Sequence, residues 1–211
     1  MRRSDRQVFG RENICGLLDL FDTIHLGISD GEYPYVVPLN FGYEFDDDLV
    51  IYFHCGLHGK KLRLIEKNPK VCVTASKFAN YVDNPFMGQG HDYRSVIAFG
   101  TASPVTEPAE KGRAIKSILR QYGHKRPCSG KDMPMVLIYK IVCSKENVTA
   151  KSEFPIRSKE DIPLVHPDDV AEHPKASETL GISDMVERLE HNTNEDDPYI
   201  QRLKQSKHLN H

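Results

Sequence analysis

The chain has 211 residues, 39% of them hydrophobic and 27% charged, with a formal net charge of −2. That length holds one ordinary domain with an extension, or two small domains, and the composition is that of a globular protein. The near-neutral total leaves no electrostatic footprint for nucleic acid, and no apolar run approaches the roughly 18 residues of a membrane span. The polar stretch Met1–Arg6 lacks the apolar core of a signal peptide. Five cysteines, at 15, 55, 72, 128 and 143, form no close pairs, which reads as reduced thiols in a cytoplasmic protein rather than a disulfide framework.

Residues 11–21 place Ile14, Leu17, Leu18 and Phe21 at helical spacing. A short β-branched run, Thr23–Ser29, follows and is closed by the turn pair Asp30-Gly31. Tyr33–Glu44 alternates as one long strand, with Tyr33, Tyr35, Val37, Leu39, Phe41 and Tyr43 on one face. Asp46-Asp47-Asp48 reads as a turn and Leu49–His54 as the return strand. Two hairpins in succession point to an antiparallel meander. Residues 59–68 read as a short helix ended by Asn68-Pro69.

Val71–Ser76 is a further strand, residues 77–92 a polar loop, and Ser95–Val105 a long strand with the small residues Ala98, Gly100 and Ala102 on one face. Thr106 or Glu107 suits the cap of a helix with Pro108 in its first turn and Ile115, Ile118, Leu119 and Tyr122 on its core face. Met135–Val142 is an apolar strand, and Asn147–Lys151 a short last one. Six strands with helices between them favour a mainly β (α+β) fold, a small barrel over residues 1–151. From 152 the pattern changes: residues 152–211 carry 13 acidic and 7 basic residues, five prolines and five histidines. Ile182, Val186 and Leu189 suggest a helix there, so this extension reads as a partly helical arm that packs on a partner subunit.

Chemistry concentrates in Leu49–Lys61, where a strand, a glycine-containing loop and two lysines in a helix's first turn follow one another. Cations there oppose the helix dipole, an arrangement that makes sense if an anion sits at the exposed N–H groups with Lys60 and Lys61 around it. Solvated surface charge is the competing reading. Gly56 and Gly59 are too close for a Walker A loop, and no Ser or Thr follows the lysines. His54, Cys55 and His58 also invite a metal, with His91 or Cys72 as a distant fourth ligand, but no paired spacing marks such a site, and none is assigned. Cys55 reads either as a reactive thiol or as a small buried hydrophobe.

Tyr33-Pro-Tyr-Val-Val-Pro-Leu-Asn-Phe-Gly-Tyr-Glu44, Tyr52-Phe-His-Cys55 and Gly59-Lys-Lys61 occur in that order, with Met1–Arg6, Lys67-Asn-Pro69 and Tyr93–Ala102 around them. Together, over residues 1–150, they resemble the pyridoxamine 5′-phosphate oxidase-like superfamily of FMN-binding split barrels, and within it the nitroimidazole-resistance (Nim-type) flavoproteins. With the six strands read above, the resemblance implies an antiparallel split β-barrel with flanking helices, forming a homodimer with FMN at the subunit interface; the C-terminal helical arm lies outside the matched residues. Carried over by position, it implies that Val37, Pro38, Leu39 and Asn40 line the flavin ring through main-chain groups. Tyr52, Phe53 and His54 would lie along the flavin, Lys60 and Lys61 would take its phosphate, and Arg94 and Ser95 would reach it from the facing subunit.

His54 is then either a catalytic proton donor near the flavin or a strand-end histidine bonded to backbone. The implied activity is an oxidoreductase reaction that passes electrons from a reduced nicotinamide through FMN to a small acceptor such as a 5-nitroimidazole or another nitroaromatic. With no Gly-x-Gly-x-x-Gly fingerprint, the nicotinamide would dock transiently over the flavin. The alternative is a non-catalytic flavin or haem carrier. Pyridoxamine 5′-phosphate oxidation would need a second basic cluster, and the acidic tail argues against one.

Overall fold

A computed structural model of the chain describes residues 4–84, 88–123 and 136–153. The arm expected over 152–211 lies outside the described residues after Glu153. A 3-10 turn at Ser4–Arg6 leads into β1 (Gln7–Val8) and α1 (Arg11–Asp19); β2 (Ile24–Ile28), β3 (Tyr35–Leu39), β4 (Gly42–Phe45) and β5 (Leu49–Cys55) follow. Next come α2 (Lys60–Lys67), β6 (Lys70–Asn84), β7 (Gly88–Pro104), α3 (Pro108–Gln121), β8 (Leu137–Cys143) and β9 (Val148–Ser152). The strands form one antiparallel sheet in the order β3-β2-β6-β7-β8-β5-β4, with β9 joining β7 to β1. This is the expected mainly β split barrel with flanking helices, built from nine strand segments among the described residues.

Period-two alternation fills the barrel. Ile24, Leu26 and Ile28 of β2, Leu49, Ile51 and Phe53 of β5, Val71 and Val73 of β6 and Ile141 of β8 are buried together with Leu17 and Leu18 of α1. A second apolar cluster lies outside the barrel wall, where Ala114, Ile115 and Ile118 of α3 cover Tyr52 and Ile138. The small-residue row of β7 has a steric cause: a Cβ on Gly100 would meet the Val142 carbonyl at 2.5 Å and Cys143 Sγ at 2.6 Å.

Three expectations are corrected. The strand 33–44 is two strands, because β3 pairs with β2 while β4 pairs with β5, at opposite ends of the sheet order. The two hairpins are real but do not form a continuous meander. Residues 77–92 are not a loop: β6 and β7 pair on to Asn84 and Gly88, with one register shift between Phe78 and Asn80. Cross-strand pairing there overrides the turn-like composition. Finally, Asp30-Gly31 is part of a longer connection over residues 29–34, with Gly31 at φ +67°.

Helix α3 seats on β4 because Gly42 has no side chain; a Cβ there would collide with the backbone of Ser117 and Ile118. Gly42→Ala should therefore cost about 1–3 kcal/mol in denaturant melts, as overpacking does. Gly112→Ala, at a helix position with open space around it, should instead stabilise by about 0.5–1 kcal/mol. Equal stability of the two variants would contradict this packing.

Candidate functional site

Strand β5 ends at Cys55, and the chain passes through Gly56–Gly59 into α2. Gly59 is the N-cap residue at φ +151°, a conformation that other residues rarely adopt, and no side chain caps the helix. The first turn holds no acidic residue. Its backbone N–H groups thus lack a side-chain acceptor, and two lysines stand where an acid is the usual complement. Leu62, Leu64 and Ile65 bury the helix against the barrel, which fixes where those lysines stand.

Lys60 Nζ lies 2.5 Å from Asp30 Oδ2 and 4.9 Å from the ring centre of Tyr35 on β3. Lys61 Nζ lies 5.0 Å from the ring centre of Phe53 on β5. Strand β3 ends the sheet order and β5 is next to its other end. The two lysines thus bridge the seam where the barrel is split. Burial pulls the Lys61 ammonium below its ordinary range, with Cys55 opposing, and burial pushes the Cys55 thiol up, with Lys61 opposing. A thiol held protonated is a weak nucleophile, so Cys55 fits the small-hydrophobe reading.

Alternation along β5 separates the residues expected beside the flavin. Phe53 points into the barrel, stacked on Tyr139 at 5.7 Å. Tyr52 points outward under α3 and is 1% exposed. Its hydroxyl donates to Glu44 Oε2 at 3.0 Å, and Glu110 Oε1 stands 3.5 Å away. Burial first, and Glu44 second, hold the Tyr52 phenol well above its ordinary range. Glu110 is held in turn by Lys140 at 2.8 and 2.9 Å. The side chain of Tyr52 is therefore committed to a structural network. His54, two residues on, shares the outward face, half-buried opposite Ile138. Among the described residues neither of its ring nitrogens has a hydrogen-bond partner.

On β3, Val37 and Leu39 pack on the core while Pro38 and Asn40 are exposed. Among the described residues β3 pairs only with β2, so one backbone edge stays open, and Pro38, which has no N–H to donate, is tolerated in such an edge strand. The outward face of β3-β2-β6-β7 carries the registered row Val36, Gly27, Cys72 and Phe99, and next to it Pro38, His25, Thr74 and Ile97. Val36 is 54% exposed, Phe99 56% and Ile97 38%, a contiguous apolar surface. Ser95 lies further along this face, half-buried. Arg94 is on the other face, 2% exposed and paired with Asp92 at 2.5 Å, with its Nε unpartnered. Burial within the chain leaves the Arg94 side chain little means of reaching a ligand outside it.

A cleft of about 890 Å³ runs from Asp30 and Glu32 past Cys72 and Phe99 to Asn147, touching the lysine pair only through Asp30. The charged lining of this open cleft is mainly acidic: Asp30, Glu32 and Asp48 against Lys70. Among the described residues no three metal-binding side chains come together, and no helix is long and apolar enough to cross a membrane. Asp30 and Tyr35 had no marking in the sequence as site residues; Asp30 was visible only as part of a turn.

A family model described as pyridoxamine 5′-phosphate oxidase matches residues 10–147. A candidate 5-nitroimidazole antibiotic resistance protein from Bacteroides thetaiotaomicron is 28% identical with a TM-score of 0.60, over 69% of this chain and 86% of its own. An FAD- and haem-binding protein from Mycobacterium smegmatis is 21% identical with a TM-score of 0.58, over 81% and 93%. A flavocytochrome from Azotobacter vinelandii is 18% identical with a TM-score of 0.55, over 80% and 88%. The latter two share the fold. Comparison with curated proteins finds no match.

If Tyr52 is structural, Tyr52→Phe should lower unfolding free energy by about 1–2 kcal/mol, because Glu44 and Glu110 lose a buried donor. Ligand affinity at the lysines should not move. A loss of affinity without a loss of stability would return Tyr52 to the binding surface.

Proposed function

Because the chain belongs to the pyridoxamine 5′-phosphate oxidase family, we propose that it binds FMN, with the phosphate at Lys60, Lys61 and the open N–H groups of α2. The observation that carries this reading is the pair of lysines in an uncapped, acid-free first turn, held over the barrel seam by Tyr35 and Phe53. An anion is the complement that two ammonium groups at a helix start favour. The residues fit the group at its phosphate end, and the open edge of β3 supplies main-chain groups of Val37–Asn40 for the ring. Tyr52 and Arg94 lend no side chain to it.

A second copy of the chain is the proposed cover for the apolar sheet face, with Ser95 at the shared boundary. When bound, a flavin supplies hydride acceptance and electron delivery to a second substrate. The reading of the chain is an oxidoreductase with a reduced nicotinamide as donor. The nitroaromatic acceptor rests on likeness to the Bacteroides protein. His54, with no competing hydrogen bond among the described residues, is the proposed proton donor. A carrier function is the second reading, favoured by the flavin- and haem-binding names of two proteins that share the fold.

Lys60 and Lys61 replaced together by alanine should elute as wild type, at the volume of two copies, but without FMN. Flavin retained in full removes the phosphate assignment, and a wild type eluting as one copy removes the second subunit from the reading. In stopped flow, the FMN-loaded protein should bleach with NADH or NADPH and reoxidise with a 5-nitroimidazole, and His54→Ala should slow reoxidation at least tenfold, as expected for a lost general acid. Flavin that stays oxidised with both donors points to the carrier; a Soret band in the purified protein points to haem.

A further inference from the structure

The two lysines are not equivalent. Lys61 faces Phe53 and Cys55 and, among the described residues, forms no ion pair. Lys60 already has a carboxylate, brought from another element: the 29–34 connection carries Asp30 back to α2, with Asp30 Oδ2 2.5 Å from Lys60 Nζ. The pair sits at the solvent boundary, with side chains 49% and 31% exposed for Lys60 and Asp30. Exposed pairs of this kind contribute little to folding, about 0–1 kcal/mol. Stability alone therefore gives weak reason for a carboxylate here.

We propose that Asp30 is a built-in counter-ion that competes with the anionic ligand for Lys60 and so sets how tightly, and with what charge, that ligand binds. The inference rests on the assignment of Lys60 and Lys61 to a phosphate. A dianionic phosphate arriving at Lys60 meets the Asp30 carboxylate in place and either stays beside it or displaces it. Displacement is open to the side chain, because Asp30 also lines the cleft that runs along Gly31 and Glu32. Two negative charges about 5 Å from a third in a water-like dielectric repel enough to weaken binding about fivefold once salt screening is counted. The effect scales with ligand charge. A dianion feels it most, and a neutral analogue with the same ring does not feel it.

The test uses FMN and riboflavin, which share the ring and differ in the phosphate, titrated by flavin fluorescence into flavin-free wild type, Asp30→Ser, Lys60→Ala and the double variant. Serine suits the connection and carries no charge. Asp30→Ser should tighten FMN about fivefold and leave riboflavin unchanged, and the gain should shrink in the Lys60→Ala background. Weaker FMN binding in Asp30→Ser would overturn the proposal, since the carboxylate would then be holding Lys60 in place. Unchanged FMN affinity, or an equal shift for riboflavin, would overturn it as well. A separate pattern marks failure of the underlying assignment: Lys60→Ala binding FMN as tightly as wild type.

Discussion

Two positive charges in the first turn of a helix are the feature to which the rest of this end of the molecule responds. The helix start is itself electropositive, so Lys60 and Lys61 stand where isolated helix energetics would place acids. Burial of Leu62, Leu64 and Ile65 offsets that local cost, and the surroundings soften it. Each ammonium lies over an aromatic ring, Tyr35 or Phe53, and one has Asp30 beside it. These partners come from β3 and its connection to β2 on one side and from β5 on the other, which the sheet order separates widely. The electrostatic anomaly and the closing of the barrel seam are therefore one structural fact.

Alternation imposes the second constraint. A strand one residue wide cannot offer consecutive side chains to one ligand. On β5, Phe53 serves the barrel while Tyr52 packs under α3. Along β7, Arg94 turns inward while Ser95 turns outward. Contiguous motif residues thus divide into ligand-facing and structural sets. Tyr52 and Arg94 fall on the structural side for the same reason, each bonded to a carboxylate of the same chain.

Periodic segments were legible in the chain because period and burial agree there: α1, β2, β5, α2, α3 and β8 lie close to where their apolar patterns put them. The division at Asn40-Phe41 was not, because Tyr33–Glu44 alternates without a break, and only the tight seat of α3 on Gly42 and the pairing of β4 with β5 show that the strand changes partners. The β6–β7 hairpin was hidden by its polar, glycine-containing composition, since its stability comes from pairing rather than from local propensity. The lysine pair was visible from helix electrostatics. Asp30 was not, because an ion pair between two segments far apart in the chain leaves no local spacing to read.

The shape of a suitable ligand follows from what lies on the two sides of β3. On one side, Tyr35 carries a lysine at the barrel mouth. On the other, Val36 and Pro38 begin an apolar face that continues through Gly27 and Cys72 to Ile97 and Phe99 with His25 as its one basic side chain among those residues. A wholly charged ligand would gain nothing from that face, and a wholly apolar one would leave the lysines uncompensated. A planar apolar body joined to an anionic tail satisfies both, since apolar area is removed from water at one end while the charge is paired at the other. A phosphorylated flavin has that construction, whereas a free inorganic anion uses half the site. Affinity should then divide between sheet face and helix start, and a residue that touches only the charge, as Asp30 does, can tune ligand choice without disturbing the fold.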